Sequence, residues 1–219
     1  MNLRKTSMSM ILIYLVAFFG PMLFLESSAN MVINATTILY ILGAMVMIGL
    51  YLKNTEPTLV KQQATLTSPV FIFLLGVSGI FLALIIQGII FSIEMSITGT
   101  PATSQNTQNI VKIILMNPLF IVATTVGGPI MEEFVFRRSF INLIQPFSNF
   151  WLAAIISSAI FSIAHQDGHF FVYFALGFFF SILYKKTGSI WTSIIAHCGM
   201  NTIVIIAQLA LHYGYLQAP

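Results

Sequence analysis

Charge is scarce in this chain: Asp, Glu, Lys and Arg make up 7% of its 219 residues, where a soluble globular domain carries about 25%. Too few ions are present to cover a water-facing surface, so a soluble fold is excluded and an integral membrane protein is implied. A single cysteine, Cys198, excludes an internal disulfide framework and a thiolate metal cluster. Its setting, AHCGMN inside an apolar run, reads as a small buried residue. The formal charge of +3 comes without any basic stretch interleaved with aromatics, which excludes a nucleic-acid surface. Internal repeats and heptads are absent too.

Apolar sequence fills the space. Hydrophobic residues make up 58% of the chain and the mean hydropathy is +0.93. Crossing about 30 Å of hydrocarbon takes roughly 20 mostly apolar residues, and seven runs qualify, near 8–25, 36–53, 69–93, 110–130, 150–165, 169–184 and 188–212. The fifth and sixth are short. The connections leave no room for a soluble domain. Residues 1–219 therefore read as one all-α membrane domain, a polytopic transmembrane helical bundle of about seven spans, with 1–109 forming the first three and 110–205 carrying the unusual polar residues.

Basic residues set the orientation. Arg4 and Lys5 precede the first span, Lys53 and Lys61 follow the second, Arg137 and Arg138 the fourth, and Lys185 and Lys186 the sixth. All eight fall on one side of an alternating path and only Lys112 on the other, so the N-terminus is expected in the cytoplasm and the C-terminus outside. The loop SITGTPATSQNTQN, polar and free of basic residues, suits the outer face. A cleaved signal peptide is the alternative for the first span, from Arg4-Lys5, the apolar run and Ser27-Ser28-Ala29, but Pro21 and the length of the run favour an anchor. A bacterial plasma membrane is the expected location.

Four of the fifteen charges sit in MEEFVFRR, Met131 to Arg138. Arg137 and Arg138 have a plain explanation as cytoplasmic anchors; Glu132 and Glu133 do not, because a charge in hydrocarbon costs about 3 kcal/mol and faces a cavity or a partner. Helical spacing pairs Glu133 with Arg137 and points Glu132 about 100° away, its carboxylate free. Gly127-Gly128-Pro129 just before invites a break or kink where backbone lines a polar pocket. His165 closes FSIAH, and His197 and Asn201 lie four apart on one face of the last span. Each alone is explained by interhelical hydrogen bonding. Together, a carboxylate, two imidazoles and an amide on three spans match the needs of activating a water and holding an oxyanion. His169, in HQDGH, is a reserve candidate better suited to a turn with Asp167 and Gly168; His212 reads as interfacial.

EEFVFR (132–137), FSIAH (161–165) and HCGMN (197–201) fit the patterns EExxxR, FxxxH and HxxxN. Their order and spacing resemble the CPBP family, also called Abi or CAAX-protease-like: intramembrane proteases related to the CAAX prenyl endopeptidase, with bacterial members linked to bacteriocin maturation or self-immunity. The resemblance covers about residues 110–205. It implies Glu132 as the base that activates water, Glu133 and Arg137 as its support, His165 as a group holding that water, and His197 with Asn201 as oxyanion stabilisers. Arg138 stands where many relatives carry glycine, a departure not expected to abolish activity.

The cofactor stays open at this point: none, or a single zinc held by Glu132, His165 and His197 with a fourth position free. The soluble-zincin HExxH spacing is absent. Expected partners are the lipid bilayer and a peptide or membrane-protein substrate. Two other functions compete, a proton-coupled transporter with buried Glu and His as relays, and a catalytically silent scaffold or immunity protein. One conflict is visible as well. On the seven-span path Glu132 lies near the cytoplasmic end of span four and His165 at the far end of span five, so the segment after Pro129 is expected to tilt inward, and the turn between the short fifth and sixth spans to stop inside the membrane.

Overall fold

The computed structural model describes residues 2–54, 56–99 and 104–216, and all regular structure among them is helical. Thr100 to Thr103 of the expected outer loop lie outside the described residues. In chain order the helices are α1 (Leu3–Phe19, extended by a 3-10 turn, Gly20–Phe24), α2 (Ala29–Lys53), α3 (Leu59–Gln62), α4 (Pro69–Thr98) and α5 (Gln105–Met116). A composite run follows: α6 (Phe120–Val122), a π-helical turn (Ala123–Gly127), α7 (Gly128–Glu132), a π-helical stretch (Glu133–Phe140), α8 (Ile141–Ile144) and a 3-10 turn (Gln145–Phe147). The last three are α9 (Phe150–His165), α10 (Phe170–Thr187) and α11 (Ile190–His212). Short polar side chains fix several starts: Asn2, Ser68, Ser104 and Asn149 each accept the backbone N–H three residues on.

Five helical stretches are long and apolar enough to cross a membrane: Leu3–Phe24, Ala29–Lys53, Pro69–Thr98, Phe170–Thr187 and Ile190–His212. Among the described residues α9 is a shorter apolar helix beside these five, and the composite run packs among them. The fourth span is redrawn, however. The first half of 110–130 is α5, a separate helix that tucks Val111 and Ile114 against Phe120, Ala123 and Ile205 and ends at Asn117. The crossing helix starts at Phe120 and runs through the charges to Phe147. A hydropathy window joins apolar residues across the break at Asn117-Pro118 and stops at the first charges, so it placed this span too early.

The break or kink expected at Gly127-Gly128-Pro129 takes the form of a π turn, Ala123–Gly127, without ending the helix, and Gly128 and Pro129 line a cavity. A Cβ on Gly127 would lie 3.2 Å from the backbone carbonyl of Tyr40, so the glycine also permits close packing on α2. Arg138 does not anchor a helix end; it is buried with its guanidinium 4.7 Å from the Tyr51 ring.

Contacts define two ends of the bundle. At one, Leu3 N–H donates to Glu56 (2.7 Å), Asn142 to Ser7 (3.4 Å), and the Thr65 and Leu66 amides to the Lys186 carbonyl. This end gathers Arg4, Lys5, Lys53, Lys61, Lys185 and Lys186, the residues that the positive-inside bias assigns to the cytoplasmic side. At the other, Asn117 donates to Asn34 (2.7 Å), and Asp167 accepts from Ser104 Oγ (2.7 Å) and the Asn106 N–H (3.0 Å). The backbones of α4 and α11 come especially close. A Cβ on Gly76 would lie 2.9 Å from Ile195, one on Gly79 3.0 Å from Ala196, and one on Gly199 would collide with Ile80, the small-residue packing that holds membrane helices together.

Candidate active site

Extra residues in the composite run shift which groups its backbone leaves free. In the first π turn the Gly128 N–H reaches back five residues to the Ala123 carbonyl. The next donor in that register would be Pro129, which has no N–H, so the Thr124 carbonyl loses its partner, and the side-chain amide of Asn201 donates to it from α11 (3.5 Å). In the second π stretch Ser139 and Ser157 hydroxyls take the Phe134 and Phe136 carbonyls. Turns of this kind cluster at functional sites, and here they face the polar centre of the molecule.

Glu133 is fully buried. Arg137 NH1 lies 3.3 Å from its Oε1, the pairing that the i, i+4 spacing implied, and His197 Nδ1 lies 2.8 Å from the same oxygen. Arg137 makes no hydrogen bond to protein through its guanidinium; the ring of Phe161 sits 4.3 Å from it and that of Phe180 5.4 Å, a cation–π enclosure. Glu132 differs. Its side chain is 16% exposed, and His197 Nε2 lies 3.7 Å away. His197 thus stands between two carboxylates, with Nδ1 towards Glu133 and Nε2 towards Glu132.

His165 donates from Nδ1 to the Phe161 carbonyl (2.8 Å), because a carbonyl can only accept, so Nε2 is its free ring nitrogen. Tyr173 stacks on its ring at 3.9 Å and donates its hydroxyl to Asp167 (2.9 Å). Glu132, His165, Asn201, Tyr14 and Tyr40 all line one cavity of about 350 Å³. A smaller one of about 80 Å³ holds His197 and Tyr173 and shares His165, Thr124 and Asn201 with the first. These are two lobes of one polar space, large enough for several waters and a piece of backbone.

The structure therefore brings together all six residues singled out in the sequence: Glu132, Glu133, Arg137, His165, His197 and Asn201. The depth conflict dissolves because the crossing helix starts at Phe120; Glu132 lies twelve residues in, about 18 Å along the axis, in mid-run. Among the described residues no three His, Cys, Asp or Glu side chains are grouped as a metal site would need; Glu132 and His165 share the larger cavity, and His197 lines the smaller. Cys198 is half-buried on α11 and His212 is exposed at its end. His169 belongs elsewhere: its Nδ1 lies 3.2 Å from Glu94, which also accepts the Phe171 N–H (2.9 Å). Sequence reasoning passed over Glu94, although a lone acid near the end of a 30-residue apolar helix is itself a signal. It passed over Tyr14, Tyr40 and Tyr173 because an aromatic in a membrane helix looks the same whether it faces lipid or a cavity.

A family model, type II CAAX prenyl endopeptidase Rce1-like, matches residues 114–203. Over 143 residues the chain is 43% identical to a putative membrane peptidase, YdiL, of Bacillus subtilis (strain 168), covering 65% of this chain and 59% of that protein. It is 31% identical over 221 aligned positions to the membrane-embedded CAAX protease MroQ of Staphylococcus aureus (strain USA300), covering 93% of this chain and 89% of the relative. The chain belongs to the Rce1-like CAAX protease family. That is the resemblance its three motifs carried, and it makes the chain an integral bacterial membrane protein. A third relative, UPF0177 protein YbdI of Lactococcus lactis subsp. lactis (strain IL1403), is 29% identical over 114 residues, 51% of this chain and 61% of the relative. No solved structure matches. The Rce1-like match falls on the composite run, α9, α10 and the first part of α11, while α1, α2 and α5 close the rest of the polar space from outside it.

Proposed function

We propose that this protein is an intramembrane endopeptidase that hydrolyses a peptide bond of a peptide or membrane-associated protein, using water activated by Glu132. The observation that carries the reading is the division of labour between adjacent glutamates. Glu133 is held by Arg137 and His197, whereas Glu132 lines a cavity of about 350 Å³ with His165 and Asn201. The names of two relatives, a putative membrane peptidase and a membrane-embedded CAAX protease, support it.

In the proposed reaction Glu132 takes a proton from water as the oxygen attacks the carbonyl carbon, and gives it to the leaving nitrogen when the C–N bond breaks. The free Nε2 of His165 orients the water. His197, kept in place by Glu133, and the second N–H of the Asn201 amide, whose first is spent on Thr124, stabilise the oxyanion. No step is routed through a metal. The test is cleavage of a peptide library by purified wild type and Glu132→Gln in detergent, with and without a chelator. Wild-type cleavage that is lost in the variant and resists the chelator is expected. Cleavage that survives Glu132→Gln would sink the assignment, and cleavage abolished by the chelator would sink the metal-free route.

A further inference from the structure

We infer that the cavity opens to the extracytoplasmic face and receives from that side an uncharged stretch of an exported or membrane-anchored polypeptide. This rests on the proposed peptidase reading for what happens to the stretch, but the direction of opening stands on geometry alone.

The residues rimming the larger lobe come from the same end of every element that contributes. Phe18 is next to last in α1, Asn106 is the second residue of α5, Phe120 opens the composite run, and Gln166 follows the last residue of α9. Thr36 lies in the part of α2 that begins beside the Asn34–Asn117 hydrogen bond. This is the end marked by Asp167 with Ser104 and Asn106, opposite the six basic residues that define the cytoplasmic side. Glu132 and Tyr14 are deeper, at the floor. Below them the way to the basic end is closed: Met10, Met47, Met131, Phe134 and Ile141 are all at 0% exposure and pack in one cluster. A water or a peptide reaching Glu132 has a polar route from outside and a sealed apolar layer on the other side.

The lining also describes the guest. Thr36, Asn106, Thr124, Gln166 and Asn201 offer neutral hydrogen-bonding groups suited to peptide backbone. Among the described residues no Lys or Arg lines either lobe, so the lining suits uncharged side chains on the stretch taken.

The test reads access rather than activity. In a Cys198→Ala background, Asn109→Cys, Gln62→Cys, Glu132→Cys and Tyr40→Cys are treated with a small, charged, membrane-impermeant methanethiosulfonate in intact cells and in inside-out vesicles. Asn109→Cys, Tyr40→Cys and Glu132→Cys are expected to be modified in intact cells, and Gln62→Cys only in the vesicles. Labelling of Gln62→Cys in intact cells would overturn the orientation. Protection of both Tyr40→Cys and Glu132→Cys from outside, or their faster labelling in inside-out vesicles, would overturn the opening. Tyr40→Cys keeps the test decisive if Glu132→Cys does not fold. A protein that cleaves nothing but labels as expected would refute the peptidase reading and leave the opening intact.

Discussion

Two buried carboxylate–imidazole pairs lie among the described residues, and they differ in whether they adjoin the cavity of the proposed active site. Glu94 and His169 meet at 3.2 Å near the outer end, and Glu133 and His197 meet at 2.8 Å at the centre. Each pair is almost wholly shielded and bridges helices distant in sequence. The outer pair is closed on itself: Glu94 spends its second oxygen on the Phe171 N–H, and the Phe91 ring lies against His169. The central pair has Glu132 beside it and a cavity in front. A buried Glu–His pair is thus a fastening, and it becomes part of a reactive centre when a further acid is left unclaimed at a space that water can enter.

The sharpest way to break that comparison is to neutralise one acid of each kind. Glu132→Gln is expected to lower cleavage by about 10²- to 10⁴-fold, the scale of a lost general base, with the unfolding midpoint in detergent unchanged. Glu133→Gln should fail differently, because it leaves Arg137 buried without a counter-ion at a cost of about 3–5 kcal/mol. Adding Arg137→Met should return much of the stability while cleavage stays low, which separates the fastening from the chemistry in one denaturation and activity series. Glu94→Gln should cost about 1–3 kcal/mol, as for a buried hydrogen-bonding group left unmatched, and keep cleavage near wild type. Loss of activity at constant stability there would erase the distinction. Tyr173→Phe is the mildest, removing one hydrogen bond to Asp167 worth about 0.5–1.5 kcal/mol while the ring stays over His165. Tyr173→Ala should reduce cleavage further by releasing that imidazole.

Motif spacing made the local chemistry legible. The i, i+4 relation of Glu133 and Arg137 and the different facing of Glu132, about 100° round the helix, follow from helix geometry, and the Glu133–Arg137 pairing survives the π-helical stretch. Depth was not legible. Hydropathy measures the preference of a segment for lipid, and the composite run is held by protein on nearly every side from Gly127 to Ser139, so its charges never meet the medium that the scale describes. Arg138 misled for the same reason: a cation at a supposed cytoplasmic edge and one enclosed by Tyr51 read identically in sequence. Gly127-Gly128-Pro129 carried a real signal whose meaning needed the neighbour, since only the position of Tyr40 shows that the glycines serve close packing. Glu94 could have been found from its isolation, but its partner His169 lies 75 residues away, beyond any local pattern.

The glycine seam between α4 and α11 has a consequence for how the protein is made. Helices leave the ribosome from the N-terminus onward, so α4 is made well before α11, whose docking fills the notches at Gly76 and Gly79. α11 also brings His197 and Asn201. Until it docks, Glu133 lacks its imidazole and the Thr124 carbonyl its amide, although Glu132, Arg137 and His165 are already in the chain. Closing the seam and completing the proposed centre are therefore one step.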